Sequence, residues 1–305
     1  MLAEPALAEN FPAKPVHIIV PQPPGGAADR VARIFAERLE SRWKQSVIVE
    51  NKPGAGVVVG TLATTRATPD GHTFALLGSS LSINAVQRKD LPYDVFNDLQ
   101  PLARVGYYTM ALVATASFPA NDIPSLIALA KQQPSRLAYG SNGIGTSAEV
   151  AGEMLCHMAG VKMQHVPYNG ASKMYTDMVG SQVPLGFSVA SSAEPFVKAG
   201  QLKVLGVTSV QRSPLFPDWP SIAETYPGFD VVSWAGFIGP SKLPNAVTQK
   251  LSTDLLNITA EPAIVKILAT LGIEMAPAGP QELVRFLHSE IERFGGVIRS
   301  QALAK

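Results

Sequence analysis

Val16-His17-Ile18-Ile19-Val20-Pro21-Gln22-Pro23-Pro24-Gly25-Gly26-Ala27-Ala28-Asp29 decides the fold. A short run rich in Val and Ile reads as a strand, the prolines and glycines stop it, and a helical pattern opens at once. Val31, Ile34, Phe35 and Leu39 fall at i, i+3, i+4 and i+8, one face of a 3.6-residue helix. Val47-Ile48-Val49 comes next, closed by the breaker Asn51-Lys52-Pro53-Gly54. After another helical stretch, the turn Thr68-Pro69-Asp70-Gly71 leads into Thr73-Phe74-Ala75-Leu76-Leu77. Strand and helix alternating at this spacing predict βαβ units and a parallel sheet.

The middle of the chain repeats the pattern. Residues 111–114, 136–139, 164–168, 184–188 and 203–208 are predicted strands, 123–133 a helix stopped by Pro134, and the last 60 residues mostly helical. No Gly/Ser tether separates two halves. The apolar runs 102–108 and 231–238 are the best candidates for strands that cross between domains, as hinged rigid bodies require. At 305 residues two domains are expected: a discontinuous one of 11–104 plus 233–305, and a second of 105–232. Residues 1–10 are set aside, because Ala6-Leu7-Ala8 resembles a signal-peptidase site although a basic region and a long apolar core are missing.

Composition excludes several classes. With 25 basic and 24 acidic residues the net charge is +1, without the clustered cations that nucleic acid or an anionic membrane surface demands. No apolar stretch reaches the ~18 residues of a membrane span. Cys156 is the single cysteine, which rules out an intrachain disulfide and a zinc site built on several thiolates. It sits in a helical stretch and reads as a small core residue. There is no G-x-S-x-G, no H-E-x-x-H and no paired-Cys pattern, so neither catalysis nor a metal or cofactor is expected.

Two Gly-rich loops each follow a strand and open a helix. The first carries Gln22, Pro24, Gly25, Gly26, Ala27, Ala28 and Asp29; the second carries Ser141, Asn142, Gly143, Ile144, Gly145, Thr146 and Ser147. Glycine lets backbone approach a ligand closely, and the free N–H groups and dipole of a helix's first turn suit an anion. Neither loop is a nucleotide fingerprint, and each also reads as an ordinary turn with Asp29 or Thr146 capping the helix. Arg30 and Arg33 are expected on the helix, away from the ligand. Three further strand ends could contribute: Ser79, Ser80 and Ser82; Tyr168 and Asn169; and Ser188, Val189 and Ala190.

Together these residues resemble the periplasmic receptors of tripartite tricarboxylate transporters, often called Bug receptors. The resemblance is carried by Ile19-Val20-Pro21 through Gly25-Gly26 to Asp29, Val49-Glu50-Asn51-Lys52-Pro53-Gly54-Ala55-Gly56, Thr68-Pro69-Asp70-Gly71 and Leu91-Pro92-Tyr93-Asp94. It continues through His165-Val166-Pro167-Tyr168, Lys198-Ala199-Gly200, Gly206-Val207-Thr208-Ser209 and Arg212-Ser213-Pro214. It implies a two-lobed Venus-flytrap fold of the type II-like kind, with a cleft between two Rossmann-like domains, in the periplasm. It also implies a monomer that hands a small carboxylate (di-, tricarboxylate or aromatic) to membrane transporter subunits. In such receptors the backbone donors of the two Gly-rich loops grip the carboxylate, which here implies one carboxylate bridging Gly25–Asp29 and Ser141–Ser147.

The chain departs from the family pattern at Gln22, Glu149, Asn169, Ser188 and Ser191, where the family often has an aromatic residue or similar group, histidine, lysine, an acid or amide, and proline. These changes bear on which ligand binds. Two other readings stand beside transport: a sensor that reports the same ligand to a membrane kinase, and, from a different class, an enzyme without a supporting motif.

Overall fold

The computed structural model describes residues 11–303; the signal-like Ala6-Leu7-Ala8 lies outside them. The chain divides into two compact units. One holds 11–107, Trp234–Ala269 and Met275–Phe294; the other holds Tyr108–Ser233 and Thr270–Glu274, with the described residues from Gly295 on. The expected boundaries differ from this division at 105–107, at 233, from Gly295 on, and at 270–274, which joins the second unit for a local reason. Thr109 donates its N–H to Gly272 O at 2.9 Å and its hydroxyl to Glu274 Oε1 at 2.7 Å, and Ser191 Oγ donates to Leu271 O at 2.7 Å.

The first unit opens as the sequence predicts: β1 (Val16–Val20), α1 (Ala27–Trp43), β2 (Val47–Asn51), α2 (Val58–Thr65), β3 (Thr73–Leu77) and α3 (Ser80–Gln87). Its six-stranded sheet has the order β11-β4-β10-β3-β1-β2, where β4 is Leu99–Tyr108, β10 Ser233–Pro240 and β11 Ile273–Ala278. The β1 strand pairs in parallel with β2 and β3. The buried stripe of α1 (Val31, Phe35, Leu39) is the one its spacing marks. Ile19, Ala75, Leu77, Trp234, Ile238, Leu283 and Leu287 share one core cluster. The helical tail is α8 (Asn245–Thr259), α9 (Pro262–Thr270) and α10 (Pro280–Leu303).

The second unit holds β5 (Met110–Thr115), α4 (Ile123–Gln132), β6 (Ala138–Ser141), α5 (Ser147–Ala159), β7 (Gln164–Pro167), α6 (Ala171–Val179), β8 (Leu185–Val189), α7 (Ala190–Lys198) and β9 (Leu202–Val207). Its sheet order is β7-β6-β8-β5-β9. Asp122 caps α4 in a reciprocal pair with Ser125.

One expectation is corrected. The sheets are mixed, because β10 runs antiparallel to β3, and β5 runs antiparallel to both β8 and β9. These two strands do not belong to βαβ crossovers, so the right-handed crossover that enforces parallel neighbours does not act on them. The tail is mostly helical, as expected, with β11 set between α9 and α10 where Gly272, at φ +76°, breaks the chain.

Candidate ligand-binding loops

In the first unit β1 and β3 are parallel neighbours, so the loops that follow them leave the same carboxyl edge of the sheet. Gly25 has φ +82°, a conformation that penalises a side chain. An added Cβ there would meet nothing within 4 Å, and one on Gly26 would meet only Pro23 O at 3.7 Å. Gly26 is the N-cap of α1, and no side chain caps that helix. Asp29, 3% exposed, turns back on the loop instead. Its Oδ2 accepts from Gly25 N at 2.9 Å and from Arg33 Nε at 3.0 Å; its Oδ1 accepts from Arg33 Nη2 and Asn51 Nδ2, both at 3.0 Å. Asn51 Nδ2 also reaches Gln22 O at 3.0 Å. Burial alone would raise the Asp29 carboxyl, but the bonds from Arg33, Gly25 and Asn51 outweigh it and hold it below the usual carboxylate range. Arg33, expected to stand apart, is thus part of the loop's frame.

The loop after β3 runs into α3 through Ser79, which is 1% exposed. Ser79 bonds to Glu290 of α10, whose carboxylate also accepts from Trp234 Nε1 at 3.1 Å and pairs with Arg293. Burial pushes the Glu290 carboxyl above its ordinary range. Nothing near Gly78–Ser82 in the sequence signals this support, because it comes from the last helix. Ser80 O accepts from Asn84 Nδ2 at 2.6 Å. Ser82 is fully buried, and its hydroxyl has no hydrogen-bonding partner among the described residues.

In the second unit β6 lies between β7 and β8 and is parallel to both, so three candidate segments again share one edge. Thr146 caps α5: its Oγ1 accepts from Glu149 N at 3.4 Å and donates to Gly143 O at 2.6 Å. Ser141 Oγ exchanges bonds of 3.1 Å with Gly143 N and O and lies 2.7 Å from His165 Nε2. His165 Nδ1 is 3.5 Å from Glu149 Oε1, while Glu149 Oε2 accepts from Gly145 N at 2.8 Å. Tyr168 N donates to Ser141 O at 3.0 Å, tying the next segment to this loop. Asn169 is exposed and Asn142 half-buried. Ile144, flanked by glycines at φ +133° and +74°, is 63% exposed. Ser147 Oγ, in the first turn of α5, is buried without a partner among the described residues, like Ser82 Oγ. At the end of β8, Ser188 is buried, Val189 precedes α7, and Ala190 spends its N–H on Thr109 O at 2.8 Å.

Ser141, His165 and Glu149 have the residue types of a hydrolytic triad but not its accessibility. Ser141 is 0% exposed, and Gly143 takes its hydroxyl in both roles. Burial also holds the His165 imidazole below its ordinary range. The trio works as a clamp that shapes the loop. The Cys156 thiol is pushed up to about 11 by burial and is protonated at neutral pH. Among the described residues no group of three His, Cys, Asp or Glu could hold a metal ion.

The chain matches the model of the tripartite tricarboxylate transporter family receptor over residues 31–303. It is 31% identical to protein BugT of Bordetella pertussis over 301 residues, 98% of this chain and 92% of BugT. Among solved structures it is similar to R. palustris Rpa4515 with adipate, at 27% identity and a TM-score of 0.91, covering 96% of this chain and 98% of that one. It is also similar to MatC from Rhodopseudomonas palustris with bound malate, at 25% identity and a TM-score of 0.87, covering 94% and 100%. With two α/β units, each carrying a Gly-rich loop at the carboxyl edge of its parallel strands, the chain has the periplasmic-binding-protein fold and belongs to the tripartite tricarboxylate transporter receptor family.

Proposed function

We propose that this protein is a periplasmic receptor that captures a small carboxylate and delivers it to the membrane subunits of a tripartite tricarboxylate-type transporter, without acting on it chemically. The ligand engages donors of both Gly-rich loops, Gly25–Asp29 and Ser141–Ser147. One observation carries the reading. Each unit buries a serine hydroxyl without a partner among the described residues, Ser82 in the first turn of α3 and Ser147 in the first turn of α5. Buried hydroxyls are almost always bonded, so both are available to a ligand oxygen or a water. Both lie where helix N-termini favour an anion. The malate and adipate held by related proteins agree with a carboxylate.

A thermal-shift screen across mono-, di-, tri- and aromatic carboxylates tests this. A true ligand at ~100 times its Kd adds roughly 2.7 kcal/mol of stability, and is recovered unchanged. No stabilisation by any carboxylate, or turnover of the one that binds, refutes the reading. Delivery is tested by uptake into vesicles holding the transporter subunits: it should require both the receptor and its ligand.

A further inference from the structure

The first unit carries a polar cavity at the edge of its sheet away from the candidate loops. The β10 strand runs against β3 with Gly236 beside Leu77 and Ile238 beside Ala75, so its last residues reach the edge where β3 begins. There Ser241 donates its N–H to Asp98 O at 2.9 Å, just before β4, and Gln100 Nε2 donates to Thr248 Oγ1 of α8 at 2.8 Å. The start of α10 comes to the same strand: Arg104 of β4 donates from Nε to Ala276 O at 2.9 Å and from Nη2 to Glu282 Oε1 at 3.2 Å. Between α8 and the first turns of α10 lies a cavity of about 480 Å³, bounded by Thr248 and Ser252 on one side and by Gly279, Gln281, Glu282 and Arg285 on the other.

Its wall is rich in hydrogen-bond donors. The N–H groups of Gln281 and Glu282, in the first turn of α10, have no partner within the helix, and the helix dipole adds positive character there. Arg285 has no ion-pair partner among the described residues. Thr248 Oγ1 accepts from Gln100, which leaves its own proton to be given. Ser252 is 6% exposed, and its hydroxyl meets no partner among the described residues, so a ligand oxygen or a water must complete it. The one acid of the wall, Glu282, is paired with Arg104. A Cβ added to Gly279 would find only Leu256 Cδ1, at 4.0 Å, so the space beside the helix terminus is open.

We propose that this cavity is a second binding site, separate from the carboxylate loops, and that it takes a phosphate group. The Arg285 guanidinium supplies a forked pair of donors to two oxygens, and the Gln281 and Glu282 N–H groups with the Ser252 hydroxyl serve the others. Donors that converge from two helices suit a tetrahedral anion with four oxygens better than a planar carboxylate with two. A wall whose one acid is already paired offers nothing to a cation.

The test is calorimetry with inorganic phosphate at pH 8 and fixed ionic strength, with acetate as the planar comparison. Wild type should show saturable phosphate binding, at least about tenfold tighter than acetate. Arg285→Gln, at an exposed position where the fold is not at stake, should weaken phosphate at least about tenfold, which is about 1.4 kcal/mol. Ser252→Ala, which suits a helix, should weaken it about threefold. Gly26→Val, which obstructs the first Gly-rich loop, should leave phosphate affinity unchanged. Glycerol 3-phosphate run in parallel identifies the source: tighter binding than inorganic phosphate means an organic phosphate that fills the cavity, and equal binding means the free ion. No saturable binding of either phosphate by wild type overturns the proposal, and so does acetate bound as tightly as phosphate. Affinity unchanged by Arg285→Gln, or lost in Gly26→Val, overturns it too, because the anion then sits elsewhere. None of these failures touches the carboxylate reading, which rests on other loops.

Discussion

Gly152 packs so closely under Tyr139 that a Cβ added to it would lie 2.2 Å from the ring's Cε2 and 2.3 Å from its Cζ. The ring cannot retreat easily: Tyr139 is 1% exposed, stacks on His165 at 5.1 Å and meets Phe187 edge-on at 5.7 Å. His165 in turn contacts Ser141 at the root of the second loop. Helix-to-strand packing is thus connected to the shape of a candidate binding loop through one ring stack.

Gly152→Ala decides between two opposed effects. Alanine gains roughly 0.5–1 kcal/mol of helix propensity over glycine, whereas overpacking a rigid core costs roughly 1–3 kcal/mol. With contacts this short the steric cost wins. The expected outcome is a Tm lowered by roughly 2–6 °C, with weaker ligand binding because the displaced ring moves His165. A Tm equal to or above wild type in a melting experiment would show that Tyr139 yields freely.

Gly26→Val should separate binding from folding. At φ −73° the backbone accepts a side chain, and the nearest atom to a new Cβ is Pro23 O at 3.7 Å. Valine therefore costs little stability, roughly within 0.5 kcal/mol as for exposed sites generally. Its methyl groups, however, would stand over the N-terminus of α1 and obstruct an anion. Affinity for the best carboxylate should fall by at least about tenfold, about 1.4 kcal/mol, with an unchanged Tm. Unchanged affinity would place the anion elsewhere.

Asp29→Asn tests the frame of the first loop. The substitution removes the charge that two Arg33 bonds and the Gly25 and Asn51 donors favour, at roughly 1.5–3 kcal/mol for a hydrogen bond to a charged group. Because the folded carboxyl sits below its ordinary value, its contribution is present above an unfolded pKa of about 3.9 and is lost as pH falls through the folded one. Wild type and variant should therefore differ most at neutral pH and converge in strong acid. Denaturant titrations at pH 7 and below pH 3 would show this, and a gap that stays constant would deny the charge its role.

The parts of the fold set by local pattern were legible in sequence. The stripe Val31, Phe35 and Leu39 and the β-rich run Val16–Val20 carry their own periodicity, and glycine at 25 and 145 marks positions where φ is positive. Strand direction was not, because what pairs β10 against β3 is the long-range return of the chain, invisible in any window. The same holds within the loops. Asp29 read as a cap, yet Gly26 takes that place and Asp29 serves Gly25 through an i to i+4 bond. Arg33 read as peripheral because its partner lies one turn back on its own helix, a contact the apolar pattern does not encode. Glu290 and Trp234 were missed altogether. Their relation to Ser79 exists only after the last helix docks on the first unit's core.

Glu290→Gln should make the protein more tolerant of neutral pH. Glu290 is 2% exposed, and burial raises its carboxyl above the ordinary range even though Arg293, Trp234 and Ser79 all favour the charged form. A group whose folded pKa exceeds its unfolded one gives stability that is fully present below the unfolded value, about 4.3, and lost as pH rises through the folded value. Wild type thus gives up stability on going from pH 4 towards neutrality, as a buried site is made to hold a charge. Glutamine keeps an acceptor for Trp234 Nε1 and titrates nowhere, so the variant should lack that component of the decline. Comparing Tm for the two proteins from pH 4 to 8, the difference in favour of Glu290→Gln should grow with pH and then level off. Glu290→Ala is the control for packing and bonding. It strands the indole N–H and Ser79, which costs roughly 1–3 kcal/mol at every pH, so it should be less stable than Glu290→Gln throughout. If the Glu290→Gln curve runs parallel to wild type, Glu290 titrates alike in the folded and unfolded chain, and its burial carries no pH-dependent cost.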